Sequence, residues 1–179
     1  MRVVITGTPG TGKTTATRRL EADSEEALDV VHLNDVIRDD ELSTGTDETR
    51  DSLVADLDAV EEWLDERDPE GTELVESHLA HLLPADRVVV LRCHPDDLGS
   101  RLAERGESDA SVTENRESEA LDVVLAEAVE RHGLDSVYEI DATDRTPEEV
   151  ASEIERVVAG EHEPSAGTVS FVDSLAEQP

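Results

Sequence analysis

The sequence predicts an α/β domain, a five-stranded parallel sheet flanked by helices, and three observations carry that expectation. Short apolar, β-branched runs alternate with segments of helical periodicity along most of the chain. A glycine-rich turn joins the first such run to the first helical segment. The length of 179 residues suits one domain, whose folding buries roughly two-thirds of the unfolded surface.

Taken in order, Val3 to Ile5 reads as the first strand and Thr14 to Ala22 as the first helix. Val30 to Leu33 is the second strand. The polar stretch from Asn34 to about Asp51, carrying Thr44-Gly45-Thr46, breaks the alternation and reads as an insertion. Leu53 to Glu66 reads as a helix, because Leu53, Leu57, Val60 and Leu64 recur at helical spacing. Leu74 to Val75 and Val88 to Leu91 are the third and fourth strands, and Asp96 to Arg105 is helical. Gly106 to Val112 forms a second, shorter polar insertion. Glu114 to His132 reads as one long helix with Leu121, Val124, Leu125, Ala128 and Val129 on its apolar face. Val137 to Ile140 is the fifth strand. Thr146-Pro147-Glu148-Glu149 opens the last helix, with a capping threonine, proline at the first helical position and a capping-box glutamate.

Strands this short and apolar are buried on both faces, and alternation with helices implies parallel pairing through right-handed crossovers. Ligands in such sheets bind outside the carboxyl ends of the strands, where the two insertions fall. The domain is expected over residues 1–160. From Gly160 the composition shifts to Gly, Pro, Ser and acid, so 161–179 reads either as a disordered tail or as a segment docked through Phe171, the one phenylalanine.

Charge narrows the function. Asp and Glu number 46 against 15 Lys and Arg, a formal net charge of −31. No broad basic surface for DNA or an RNA backbone is compatible with that balance, so an anionic ligand must be held in a local pocket. The acidic, lysine-poor composition resembles that of proteins adapted to multimolar salt, where surface repulsion is screened within about 3 Å at 1 M. The single Cys93 cannot form an internal disulfide. No apolar run is long enough to span a bilayer, and Met1 leads into a strand instead of a signal peptide, so a cytoplasmic location is expected.

Gly7-Thr8-Pro9-Gly10-Thr11-Gly12-Lys13-Thr14 fits the phosphate-loop pattern G-x-x-x-x-G-K-[ST], directly after a strand and opening a helix. Glycines let successive N–H groups turn inward, the helix N-terminus adds positive potential, Lys13 reaches the phosphates and Thr14 offers a hydroxyl to Mg²⁺. Lys13 is also the only lysine in the chain. Glu76, ending Glu73-Leu74-Val75-Glu76, is the candidate second carboxylate for Mg²⁺, the alternative being a strand-end cap. His78 and His81 have metal-like spacing without the further ligands zinc needs, which favours His78 as a polar group near the phosphates. Arg101 and Arg105 project from one helix face toward the second insertion, as candidates either for phosphate oxygens or for pairing with Asp97, Glu104 and Glu107. Arg38 is a similar candidate for the phosphate of an acceptor. Trp63, Tyr138 and Phe171 all lie outside the loop and the insertions, so adenine is expected to be gripped by arginine and apolar packing.

Over residues 1 to 132 the sequence resembles the archaeal and nuclear adenylate kinases known as the isoenzyme 6 class. The phosphate loop carries most of the likeness, with Asn34-Asp35-Val36-Ile37-Arg38, Glu76-Ser77-His78, Val90-Leu91-Arg92, Arg101-Leu102-Ala103-Glu104-Arg105-Gly106, and Glu114-Asn115 with Glu117 and Glu119. The resemblance implies a P-loop NTPase of nucleoside monophosphate kinase fold, with an AMP-binding insertion near 30–53 and a short lid near 104–114. It implies that Gly10, Gly12, Lys13, Thr14 and Thr15 bind ATP, that Arg105 contacts it from the lid, and that Glu76 and His78 fill the family's Asp-x-His place, with Glu for Asp. It further implies a link to small-subunit ribosome maturation through a basic ribosomal protein and ATP hydrolysis. The expected activity is transfer from ATP to AMP. An assembly ATPase and another small-molecule kinase of the same fold are the alternatives.

Overall fold

The computed structural model describes residues 1–23, 28–47 and 52–175. Five strands form one parallel sheet: β1 (Arg2–Thr6), β2 (Leu28–His32), β5 (Thr72–Glu76), β6 (Arg87–Arg92) and β7 (Val137–Asp141), in the order β2-β5-β1-β6-β7. Alternate residues of each strand feed opposite layers. Val3, Ile5, Leu74, Val89 and Leu91 pack with α1 (Lys13–Asp23) and α7 (Pro147–Ala159). Val4, Val75, Val88 and Val90 face α2 (Leu33–Asp39), α3 (Leu57–Asp65) and α6 (Val123–His132). With both faces covered, each strand reads as continuously apolar, which is why the sheet was legible. Among the described residues, no helix is long and apolar enough to cross a membrane.

Three elements differ from the sequence expectation. Leu53 belongs to a hairpin of β3 (Ser43–Asp47) and β4 (Ser52–Ala55), and α3 begins only at Leu57, with Asp56 as its cap. Leu53 and Val54 are 45% and 46% exposed, so their apolar character follows no core face. The expected helix from Glu114 to His132 is two helices, α5 (Asp109–Ala120) and α6, broken at Asp122 in the left-handed conformation with φ 56°. The second insertion shrinks to a turn, because Ser108 caps α5 and the helix begins inside the polar stretch. The remainder of the first insertion is α2 and β3, with residues 48–51 outside the described residues.

The segment after α7 returns across β7 and is ordered by it. Ser165 N–H donates to the Val137 carbonyl at 3.1 Å, and Phe171 packs edge-on against His94, with ring centroids 5.5 Å apart. In the structure this segment takes the docked arrangement through Ser165 and Phe171, while 176–179 lie outside the described residues.

Candidate active site

The carboxyl ends of β1, β5 and β2 meet the first turn of α1. The loop between β1 and α1 needs its glycines: Gly7, Gly10 and Gly12 all have positive φ, and a side chain at Gly7 would collide with the Leu91 carbonyl. Lys13 folds back into the loop. Its Nζ donates to the carbonyls of Gly7 at 2.8 Å and Thr8 at 3.0 Å. Burial pushes its pKa down to about 8, against the pull of Glu76 and Glu119 and with a further push from Arg105.

Thr14 and Glu76 come together as the motif requires: Thr14 Oγ1 donates to Glu76 Oε1 at 3.2 Å. The other carboxylate oxygen lies 3.1 Å from His32 Nδ1, at the end of β2. His32 therefore helps seat a side chain one methylene longer than aspartate. Asn34, at the start of α2, accepts from the Ser77 hydroxyl at 3.0 Å and ties that helix to the end of β5.

Lys13, Thr14, Asn34 and Glu76 line a cavity of about 150 Å³ together with Pro9, Gly10, Gly12, Thr15, His78, Leu102, Arg105 and Glu107. Burial, the Lys13 charge and His81 push the His78 pKa down to about 4, so its ring stays neutral at ordinary pH. His81 diverges from it: Nδ1 meets the Thr6 hydroxyl at 2.8 Å and Nε2 meets Glu127 at 2.9 Å, both away from the cavity. Two histidines three apart thus serve different surroundings.

Of the arginines, Arg105 at the end of α4 (Pro95–Glu104) lines the cavity. Arg101 braces the loop from outside, donating to the Gly10 carbonyl at 3.3 Å. Arg38 is not brought to the cavity; it is 65% exposed and pairs with Asp35 at 3.3 Å. His32, Asn34 and Glu107 are not among the site residues expected from sequence, where Asn34 appears only within a family motif and Glu107 only as a pairing partner for the arginines. For His32 and Asn34 the available signal was their position at the end of the second apolar run, the edge where ligands bind.

Comparison with known proteins agrees with this geometry. A family model described as an AAA domain matches residues 3–122. A Natronomonas pharaonis protein named "Putative adenylate kinase" is 59% identical over 175 residues, covering 98% of this chain and 100% of the relative. One of the same name from Halobacterium salinarum strain R1 is 53% identical over 174 residues, covering 97% and 99%. Among solved structures, a sulfotransferase from Alicyclobacillus acidocaldarius superposes with a TM-score of 0.55 at 14% identity, over 98% of this chain and 88% of that one, a likeness of fold alone. With a phosphate loop in its structural context and relatives matched along nearly the whole length, the chain belongs to the AAA-domain family of P-loop proteins, and within it to the archaeal group that carries the adenylate kinase name.

Proposed function

We propose that the chain is an adenylate kinase that transfers the γ-phosphoryl group of ATP to AMP, reversibly and with Mg²⁺, giving two ADP. The observation that carries this reading is the convergence of Lys13, the Thr14–Glu76 pair and Arg105 on one cavity at the strand ends. Gly10, Gly12, Lys13, Thr14 and Thr15 offer inward N–H groups and positive charge to the ATP phosphates. The donor set at Thr14 and Glu76, one hydroxyl and one carboxylate oxygen 3.2 Å apart, fits a hard cation. Bound there, Mg²⁺ would supply positive charge to the phosphate oxygens. Arg105, on a lid over about 104–114, adds fixed charge where the transferring group spreads its own. His78, neutral, orients substrate or water by hydrogen bonding.

Within a kinase domain of residues 1–160, the AMP-binding insertion over about 30–53 comprises α2 and the β3–β4 hairpin. Arg38 lies one helical turn beyond Asn34, a cavity residue, so closure of α2 carries it toward the acceptor phosphate. Arg101 holds the loop and faces the same edge.

A second reading adds ATP hydrolysis in small-subunit maturation, and the charge of −31 favours it by suiting a basic ribosomal protein in a pre-30S particle better than bare RNA. One experiment separates the readings: ATP consumption at high salt with AMP, CMP, GMP, shikimate or no acceptor. AMP-dependent ADP formation supports the kinase; acceptor-independent hydrolysis stimulated by a basic ribosomal protein supports the ATPase; transfer to shikimate overturns both. Loss of AMP phosphorylation in Arg38→Ala would assign the acceptor phosphate.

A further inference from the structure

A buried charge cluster touches the phosphate loop without entering the cavity. Arg92 closes β6 and is 1% exposed. Its Nε donates to Glu119 Oε1 at 2.8 Å, and its terminal nitrogens donate to Glu139 Oε1 and to Asp122 Oδ1, each at 2.5 Å. One cation among three carboxylates leaves an excess of two negative charges, and the Glu119 and Glu139 side chains are only 2% and 0% exposed. Carboxylates this buried need further donors.

Those donors come from three segments far apart in sequence. Glu119 Oε2 takes the Thr8 hydroxyl, in the phosphate loop, at 2.5 Å, and Oε1 takes the Cys93 N–H at 3.1 Å. Glu139 Oε2 takes the N–H groups of Thr168 at 2.7 Å and Val169 at 3.0 Å, and the Thr168 hydroxyl at 3.2 Å. Phe171 completes the cover, its ring 5.5 Å from the Arg92 guanidinium. Asp122, which reaches Arg92 from the break between α5 and α6, does so from a left-handed conformation that non-glycine residues adopt at a cost. The break thus lets α5 deliver Glu119 while the next residues deliver Asp122.

We propose that Glu119 is a positioning residue for the phosphate loop, and that the segment Ser165–Phe171 holds it in place through Glu139 and Arg92. The proposal rests on the reading of Gly7–Thr14 as the ATP site. Its physical content is pre-organisation. The Thr8 carbonyl receives Lys13 Nζ at 3.0 Å, the Thr11 N–H at 3.3 Å and the Thr11 hydroxyl at 3.0 Å, so fixing Thr8 fixes the loop before nucleotide arrives. A loop ordered in advance loses less freedom on binding, so loosening it raises KM for ATP and spares the chemical step. Coupling is reciprocal, so ATP must in turn tighten the C-terminal segment.

The test uses the full chain. Thr8→Val removes the hydroxyl at nearly constant shape, Thr8→Ser keeps it, and Glu119→Gln removes the charge. Thr8→Val and Glu119→Gln are each expected to raise KM for ATP about tenfold, with kcat within about twofold of the parent. Thr8→Ser stays near the parent, and the Thr8→Val/Glu119→Gln double variant is no worse than the weaker single one. Saturating ATP slows hydrogen exchange of the Thr168 and Val169 amides about threefold in the parent and leaves it unchanged in Thr8→Val. An unchanged KM in Thr8→Val, effects that multiply in the double variant, or amides indifferent to bound ATP overturn the proposal. Should Glu119→Gln fail to fold, the Thr8 pair decides alone. A parent chain that binds no ATP would overturn the ATP reading itself, and this proposal with it.

Discussion

Burial depresses the pKa of both Lys13 and His78, and each leaves a signature in stability. The unfolded chain keeps the Lys13 ammonium in water, with a pKa of 10.5, whereas the folded chain lowers it to about 8. Below pH 8 the lysine therefore costs about 3 kcal/mol of folding stability, and the cost is relieved as pH rises from 8 to 10.5. The Gly7 and Thr8 carbonyls recover part of it through their bonds to Nζ. Lys13→Met is expected to abolish turnover yet raise the melting temperature at pH 7 by about 2–4 °C, an increment that shrinks toward pH 10 in scanning calorimetry. His78 has the same sign in a lower pH window. Both states are neutral above 6.5, but between 6.5 and about 4 only the unfolded ring takes a proton, so stability falls as pH falls. His78→Gln should flatten part of that acid-side loss, by up to about 3 kcal/mol at pH 4 in denaturant titrations, with His81, also depressed, retaining its own share.

At the scale of elements, α7 tests how far local signals carry. Thr146 accepts from the Glu149 N–H at 3.3 Å while the Glu149 carboxylate accepts from the Thr146 N–H at 2.8 Å. Thr146→Ala is expected to cost about 1 kcal/mol, or roughly 2–4 °C in melting temperature, without changing turnover. This helix was legible from four residues because capping is local chemistry. The hairpin was not: Leu53 shares a helical spacing with Leu57, Val60 and Leu64, and only Asp56 marks where the real helix starts. The break at Asp122 was hidden because its cause is Arg92, thirty positions earlier, and no glycine or proline announces it. The same reason hid the contacts of Glu119, which the sequence offered only as part of a family likeness. In the site, the placement of Lys13, Thr14, Glu76 and His78 at the cavity was legible because it follows from spacing to a strand end. His32 and Asn34 depend on β2 lying beside β5, a pairing no local pattern encodes.

For the whole molecule, the −31 charge makes stability depend on ionic strength through surface self-repulsion. Self-repulsion of such a surface is long-ranged at 0.1 M salt and nearly extinguished at 1 M and above. Raising KCl from 0.1 to 2 M is expected to raise the melting temperature on the order of 10 °C, as relief of several kcal/mol would. An equal osmolarity of sorbitol should give far less, since it screens no charge. The sheet order carries a different consequence, for biosynthesis. β1 is the central strand, hydrogen-bonded to β5 on one side and β6 on the other. During translation it emerges before both neighbours, so the strand pairings that flank Gly7–Thr14 are completed only once β5 and β6 are out of the exit tunnel, and the Thr8 contact only once Glu119 follows. A nascent chain stalled before that point carries the glycine-rich loop without the partners that hold it in the finished fold.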